Sequence, residues 1–160
     1  MKLFLLRHGK TEPNSITGKD FDRKLMEKGI QQAKEIGKYL KRNNINPPVI
    51  LCSSSVRTKE TIRNIQKETV FTSKIDYLND LYLCNKKELL SILFSQNHSK
   101  DIFILGHNNG LSDFASYLIE DFVDLKTCDF IEIELNIESW NEASKGLGKA
   151  ISRFYPALSH

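Results

Sequence analysis

The sequence predicts an α/β fold: a single-domain three-layer sandwich, with a mostly parallel sheet and helices on both faces. Three observations predict it. Short apolar runs alternate with amphipathic segments through the first 120 residues, the pattern of strands joined by right-handed helical crossovers. The apolar runs are short and bounded by glycine, proline or serine, as buried strands are. At 160 residues the chain is long enough for one substantial core, and no repeat, low-complexity tract or linker divides it. Residues 1–160 are therefore read as one domain.

The elements follow in order. Lys2–Leu6 is apolar, bounded by Gly9 and Pro13, and reads as a buried strand. Glu12–Phe21 contains Pro13, Asn14, Ser15, Gly18 and Asp20 and reads as loop. Over Leu25–Asn43, Leu25, Ile30, Ala33, Ile36, Gly37 and Leu40 recur at near-helical spacing, and Asn43-Asn44 and Pro47-Pro48 end the helix. Val49–Cys52 is a second strand. Ser53-Ser54-Ser55 behind it can cap a helix over Val56–Lys67, whose less polar face is Thr58, Thr61, Ile62 and Ile65. Ile75–Leu83 is irregular and partly extended. Lys86–Gln96 is helical through Leu89, Leu90, Ile92 and Leu93. Asp101–Leu105 is a third strand running into Gly106-His107, and Asn109–Glu120 is the helix after it. Phe130–Leu135 alternates apolar and acidic residues, as a half-exposed strand does. Ser139–Lys145 reads as a short helix around Trp140, and Ala150–Tyr155 as a closing strand.

Composition narrows the function. The 23 basic and 20 acidic residues give a formal charge of +3, too mild for a nucleic-acid surface, and no Lys/Arg block or aromatic platform is present. The excess is compatible with an anionic substrate. Cys52, Cys84 and Cys128 are far apart, odd in number and without CxxC spacing, so they read as buried or free thiols rather than zinc ligands or disulfides. The opening strand leaves no room for a signal peptide, and no apolar stretch approaches a membrane span. A cytoplasmic monomer with neither a membrane nor a nucleic-acid partner is expected.

In an open α/β sheet, ligands gather at the carboxyl ends of the strands. The first strand ends in Arg7-His8-Gly9-Lys10-Thr11, the second runs into Ser53-Ser54-Ser55-Val56-Arg57, and the third ends in Gly106-His107-Asn108. If these strands are neighbours, two histidines and two arginines converge on one crevice. A neutral imidazole is a nucleophile, a guanidinium matches phosphate bidentately, and helix N-termini add oriented N–H groups. An arginine at a helix N-terminus opposes the dipole, so Arg57 favours anion binding over a structural role. His107 alone reads as structural, but its place at a strand end favours the crevice. Asn108 can donate a further hydrogen bond to a phosphoryl group, or serve as a turn or capping residue.

The segment LLRHGKTEPN resembles the signature of the histidine phosphatase superfamily, also called phosphoglycerate mutase-like. KLMEKGIQQAKEIGKYL is similar to the family's first helix, CSSSVRTKETI to its second motif, FILGHNNGLSDFA to its third and WNEASKGLGKAISRFYP to its C-terminal end. RHGKTEP with DFDRKLMEKG is most similar to the SixA-type phosphohistidine phosphatases, with Met26 where the family often has Thr or Ser. The resemblance implies the phosphoglycerate mutase-like fold and no metal or cofactor. It makes His8 the nucleophile that becomes phosphohistidine, with Arg7, Arg57 and His107 binding the phosphoryl oxygens. The family's acid follows the pattern Leu-x-Glu. Leu78-Asn79-Asp80 stands in that place, which makes Asp80 a candidate acid, one methylene shorter, or an ordinary exposed loop aspartate. A weak or missing acid favours a labile phosphoramidate over an ester. The implied activity is hydrolysis of phosphohistidine on a phosphorylated protein. The alternatives are a phosphatase for a small phosphate ester and a non-catalytic phosphate- or phosphoprotein-binding module.

Overall fold

Six of the predicted segments become strands of one sheet: β1 (Lys2–Arg7), β2 (Val49–Ser53), β3 (Ile75–Leu78), β4 (Ile102–Gly106), β5 (Phe130–Leu135) and β6 (Gly148–Phe154). Four helices connect them: α1 (Glu27–Arg42), α2 (Val56–Ile65), α3 (Lys86–Phe94) and α4 (Gly110–Ile119). The computed structural model describes residues 1–158; the last two residues of the segment 1–160 lie outside the described residues. The spatial order is β3-β2-β4-β1-β5-β6. The first four run parallel, and β5 and β6 are antiparallel to their neighbours.

Period-two alternation splits each inner strand between two cores. Leu3, Leu5, Ile102 and Ile104 pack with α3 and α4, including Leu89, Leu93, Phe114 and Leu118. Phe4, Leu6, Phe103 and Leu105 pack with α1 and α2 through Ile36, Leu40, Ile62 and Ile65. The helices therefore cover both faces, giving the three layers. Each fully buried Leu or Ile contributes about 1.5–3 kcal/mol, so both faces are strongly specified. Among the described residues, no helix is long and apolar enough to cross a membrane.

Local departures from the sequence reading have physical causes. Leu25 forms an isolated antiparallel bridge with Thr11, so α1 begins two residues later with Met26 at the N-cap and no side-chain cap. Ser55 occupies the N-cap of α2, but its hydroxyl meets Thr58 Oγ1 at 2.7 Å instead of a backbone N–H. The Asn85–Glu88 capping box that starts α3 is the one complete side-chain cap among the described helices. Strand β5 is buried apart from Glu134, not half-exposed. Its Glu132 is buried because Lys2 Nζ lies 2.9 Å away and Ser152 Oγ donates to it at 2.9 Å. The segment around Trp140 is a single 3-10 turn, Trp140–Glu142, fixed by the indole N–H donating to the Lys100 carbonyl at 2.9 Å.

Candidate active site

The three strands that carry chemistry are neighbours, with β4 between β1 and β2 and Arg7 level with Gly106. Their carboxyl ends open into a crevice of about 510 Å³ lined by Arg7, His8, Asp20, Arg23, Arg57 and His107. The turn behind β1 is clamped. A Cβ on Gly9 would lie 2.7 Å from the Gly29 carbonyl oxygen, and one on Gly29 would lie 2.2 Å from that of Lys10. Glycine at both positions lets the first turn of α1 rest directly on the loop. The Gly9 N–H donates to Thr61 Oγ1 on α2 at 3.1 Å, and the Lys10 N–H to Gln32 Oε1 on α1 at 3.1 Å. Both helices thus fix the backbone that presents His8.

The His8 ring is held in one tautomer. Nδ1 lies 2.8 Å from the Gly9 carbonyl, which accepts only, so the proton sits on Nδ1 and the lone pair on Nε2. Arg57 Nε donates to that Nε2 at 3.2 Å. Burial lowers the His8 pKa well below the usual imidazole range. The Gly9 carbonyl opposes this, while His107, Arg57 and Arg7 lower it further. His8 is therefore neutral and its Nε2 nucleophilic.

The His107 ring lies 5.3 Å from that of His8, centroid to centroid. Its Nε2 is 2.7 Å from Ser53 Oγ. Ser53 Oγ also faces the Ser55 N–H at 3.5 Å, and when the serine hydroxyl donates to Nε2 the ring proton sits on Nδ1. Burial, then Arg57, push the His107 pKa down to about 3, with Asp20 opposing and Arg7 adding to the fall. Arg7 donates Nη1 to the Leu125 carbonyl at 2.9 Å. Among the described residues only three buried side-chain N or O atoms lack a hydrogen-bond partner, and two of them are Arg7 Nε and His107 Nδ1. Unpaired polar atoms are costly to bury, and both of these belong to residues that line the crevice with His8.

The structure brings Arg7, His8, Arg57 and His107 together. It does not bring Asp80 with them. Asp80 is exposed on the 3-10 turn Asn79–Leu81 and lines a separate depression with Glu88 and Ser91, while its neighbour Asn79 accepts from Ser54 Oγ. Asn108 borders the crevice, but its amide donates to the Leu125 carbonyl at 3.0 Å, and its Oδ1 accepts from the Ser112 N–H at 3.2 Å and hydroxyl at 2.6 Å. The side chain thus ties the first turn of α4 to the 125 loop. Met26 sits at the α1 N-cap and on the crevice wall.

Asp20 and Tyr82 are the residues that sequence reasoning missed. Asp20 lies on the 3-10 turn Asp20–Asp22 and is the one carboxylate among the described residues lining the crevice. Partial burial opposes its ionisation. Hydrogen bonds from Tyr82, Arg23 and Arg57, with the charge of Arg57, outweigh that and hold it well below the usual carboxylate range. The acidic stretch Asp20-Phe21-Asp22 carries no periodicity that would have singled it out. No group of three or more His, Cys, Asp or Glu side chains that could hold a metal ion occurs among the described residues.

Residues 3–81, which include Arg7, His8 and Arg57, match the sequence profile of the histidine phosphatase superfamily, branch 1. That stretch, 79 of the 160 residues, is where the chain matches the histidine phosphatase superfamily. The chain's similarity to other proteins runs in the same direction. An uncharacterised chloroplastic protein of Arabidopsis thaliana is 28% identical over 152 residues, 89% of this chain and 70% of its own length. Phosphoglycerate mutase 2 of Saccharomyces cerevisiae is 38% identical over 87 residues, 50% of this chain but only 28% of the mutase. The structure of the protein histidine phosphatase SixA complexed with tungstate aligns with a TM-score of 0.83 at 18% identity, over 98% of this chain and 97% of that one. A phosphoserine phosphatase of Entamoeba histolytica in complex with phosphoserine aligns with a TM-score of 0.66 at 17% identity, over 95% of each chain. The histidine phosphatase fold here is thus the compact one shared with SixA, a six-stranded mixed sheet with four covering helices.

Proposed function

We propose that the protein is a phosphatase that takes a phosphoryl group onto His8 and releases it to water, with protein phosphohistidine as substrate. The observation that carries the reading is the His8 ring, locked by the Gly9 carbonyl so that Nε2 offers its lone pair to the crevice beside Arg57. His8 Nε2 attacks phosphorus, the bond to the leaving group breaks, and water then cleaves the new P–N bond. In the first step the Arg57 Nε–H passes from His8 Nε2 to a phosphoryl oxygen. Arg7 Nε and His107 Nδ1 donate to the remaining oxygens and stabilise the charge that accumulates in the transition state.

The substrate class follows from proton supply. The crevice carboxylate, Asp20, is held ionised by three donors, so no protonated carboxyl stands beside the leaving group. An alkoxide leaves poorly without an acid, whereas the imidazole of a phosphohistidine leaves with little help. The fit to SixA, closer than that to the phosphoserine phosphatase, supports the same choice.

The test combines a variant and a panel. Wild type should form an acid-labile phosphoenzyme and hydrolyse a phosphohistidine peptide in preference to phosphoserine and sugar phosphates. His8→Ala should form no phosphoenzyme and turn nothing over. Turnover by the variant would remove His8 from the mechanism. A preference for a sugar phosphate would reject the substrate. Phosphate binding without turnover on any substrate would make the protein a binding module.

A further inference from the structure

The Arg57 guanidinium is gripped at one end only. Its Nη1 donates to the Asp20 carbonyl at 2.8 Å and its Nη2 to Asp20 Oδ2 at 3.0 Å, while Nε faces His8 at 3.2 Å. We infer that Asp20 is a positioning residue for Arg57, holding both terminal nitrogens so that the Nε edge alone is presented to the reacting atoms. The inference rests on the reading of His8 as phosphoryl acceptor.

The grip is itself over-determined. Asp20 Oδ1 accepts from Arg23 Nη1 at 3.0 Å, and Oδ2 accepts from the Tyr82 hydroxyl at 2.5 Å as well as from Arg57. Arg23 is anchored in turn by Thr11 Oγ1 at 2.6 Å and the Glu12 carbonyl at 2.8 Å. The Tyr82 ring stacks edge-on to His107 at 5.4 Å and lies 5.8 Å from the Arg57 guanidinium carbon. One carboxylate therefore ties three separate chain segments to the same cation. A guanidinium on a flexible stem samples several orientations unless its donors are engaged, and a planar fork held at two donors has its third direction set.

The placement also argues against a simple competitor for substrate. Asp20 occupies the Nη end, whereas His8, the proposed phosphoryl acceptor, lies on the Nε side. A phosphoryl oxygen can take the Nε–H without evicting the carboxylate. Asp20 also supplies the negative charge that a buried Arg57 needs before substrate arrives.

The experiment compares wild type, Asp20→Ala and Asp20→Asn. Affinities for inorganic phosphate and inorganic vanadate are measured by titration calorimetry, with kcat and KM on an aryl phosphate. Removing a charge acts on both oxyanions alike. Misplacing Arg57 acts mainly on vanadate, which mimics the five-coordinate transition state. The expected result is a vanadate-over-phosphate preference reduced at least about fivefold in Asp20→Ala and largely restored in Asp20→Asn, with kcat lowered about tenfold and KM within about threefold. In an Arg57→Ala background, Asp20→Ala should change the preference no further, because paired residues are non-additive. A smaller loss of preference, an additive loss in the double variant, or both oxyanions tightening with kcat kept would each overturn the inference. The binding arm needs no turnover. A wild type that hydrolyses nothing counts against the phosphatase reading alone, and one that binds neither oxyanion overturns both.

Discussion

His107 offers a quantitative check on the electrostatics of the crevice. Its ring is held neutral, with a pKa of about 3 against 6.5 in an unfolded chain, because it is buried beside Arg57 and Arg7. A group whose folded pKa is lowered in this way binds its proton more readily in the unfolded state. It costs nothing above pH 6.5, and stability falls as pH drops from 6.5 toward 3. The slope approaches about 1.4 kcal/mol per pH unit, so His107 alone should remove about 2 kcal/mol between pH 6.5 and 4.5. The perturbation is His107→Gln, which keeps a polar group near Ser53 and cannot take up the proton. Urea unfolding of both proteins at pH 7.5 and pH 4.5 gives the two losses, and acid effects from the remaining residues largely cancel in their difference. Wild type should lose about 2 kcal/mol more than the variant. Equal losses would show that His107 titrates normally, and the neutral ring with its Nδ1 donor would have to be abandoned.

Other outcomes follow from the same geometry. The pH profile of kcat/KM on an aryl phosphate, corrected for substrate ionisation, should stay flat from pH 7.5 to about 5.5, since His8 Nε2 keeps its lone pair there; an acid limb near the ordinary imidazole value would contradict it. Ser53→Ala removes the hydroxyl that orients the His107 ring and should lower kcat about tenfold in a steady-state assay without unfolding the protein. Gly29→Ala sets a methyl against the Lys10 carbonyl and should cost about 1–3 kcal/mol by thermal or urea unfolding, with activity falling because the clash is at the His8 turn. Arg153→Ala strips the buried Asp129 of donors at 3.1 and 2.8 Å and should cost about 1–3 kcal/mol in urea, less than a fully buried pair because Arg153 is half-exposed.

The strand ends were legible because the chemistry follows directly on apolar runs. Leu3–Leu6, Ile50–Cys52 and Ile102–Leu105 announce strands, and Arg7 and His8, Arg57, and His107, each within a few residues of a strand end, line the crevice. What the sequence could not convey is direction within irregular backbone. Asn79 and Asp80 are adjacent, yet the 3-10 turn gives Asn79 the inward hydrogen bond to Ser54 and leaves Asp80 in solvent. Asp20 was hidden for the complementary reason: its loop has no period, and its partners Arg57 and Tyr82 are 37 and 62 residues away in the chain. Glu132 looked exposed because acidic residues usually are, and the Lys2 and Ser152 groups that make burial tolerable arrive from other strands. Asn108 was read with both roles open; its three hydrogen bonds to Leu125 and Ser112 tie it to the turn before α4, and one amide N–H is left over.

Strand β4 is fourth in the chain but lies between β2 and β1 in the sheet. A molecule folded only through β3 has Arg7 and His8 on one strand end and Arg57 beyond another, with no ladder joining them. Inserting β4 closes both ladders and delivers His107 in the same event. Competence to accept a phosphoryl group is therefore a property of the finished sheet. On the proposed mechanism a chain without β4 in place accepts no phosphoryl group, and regained activity during refolding would time the docking of this one strand.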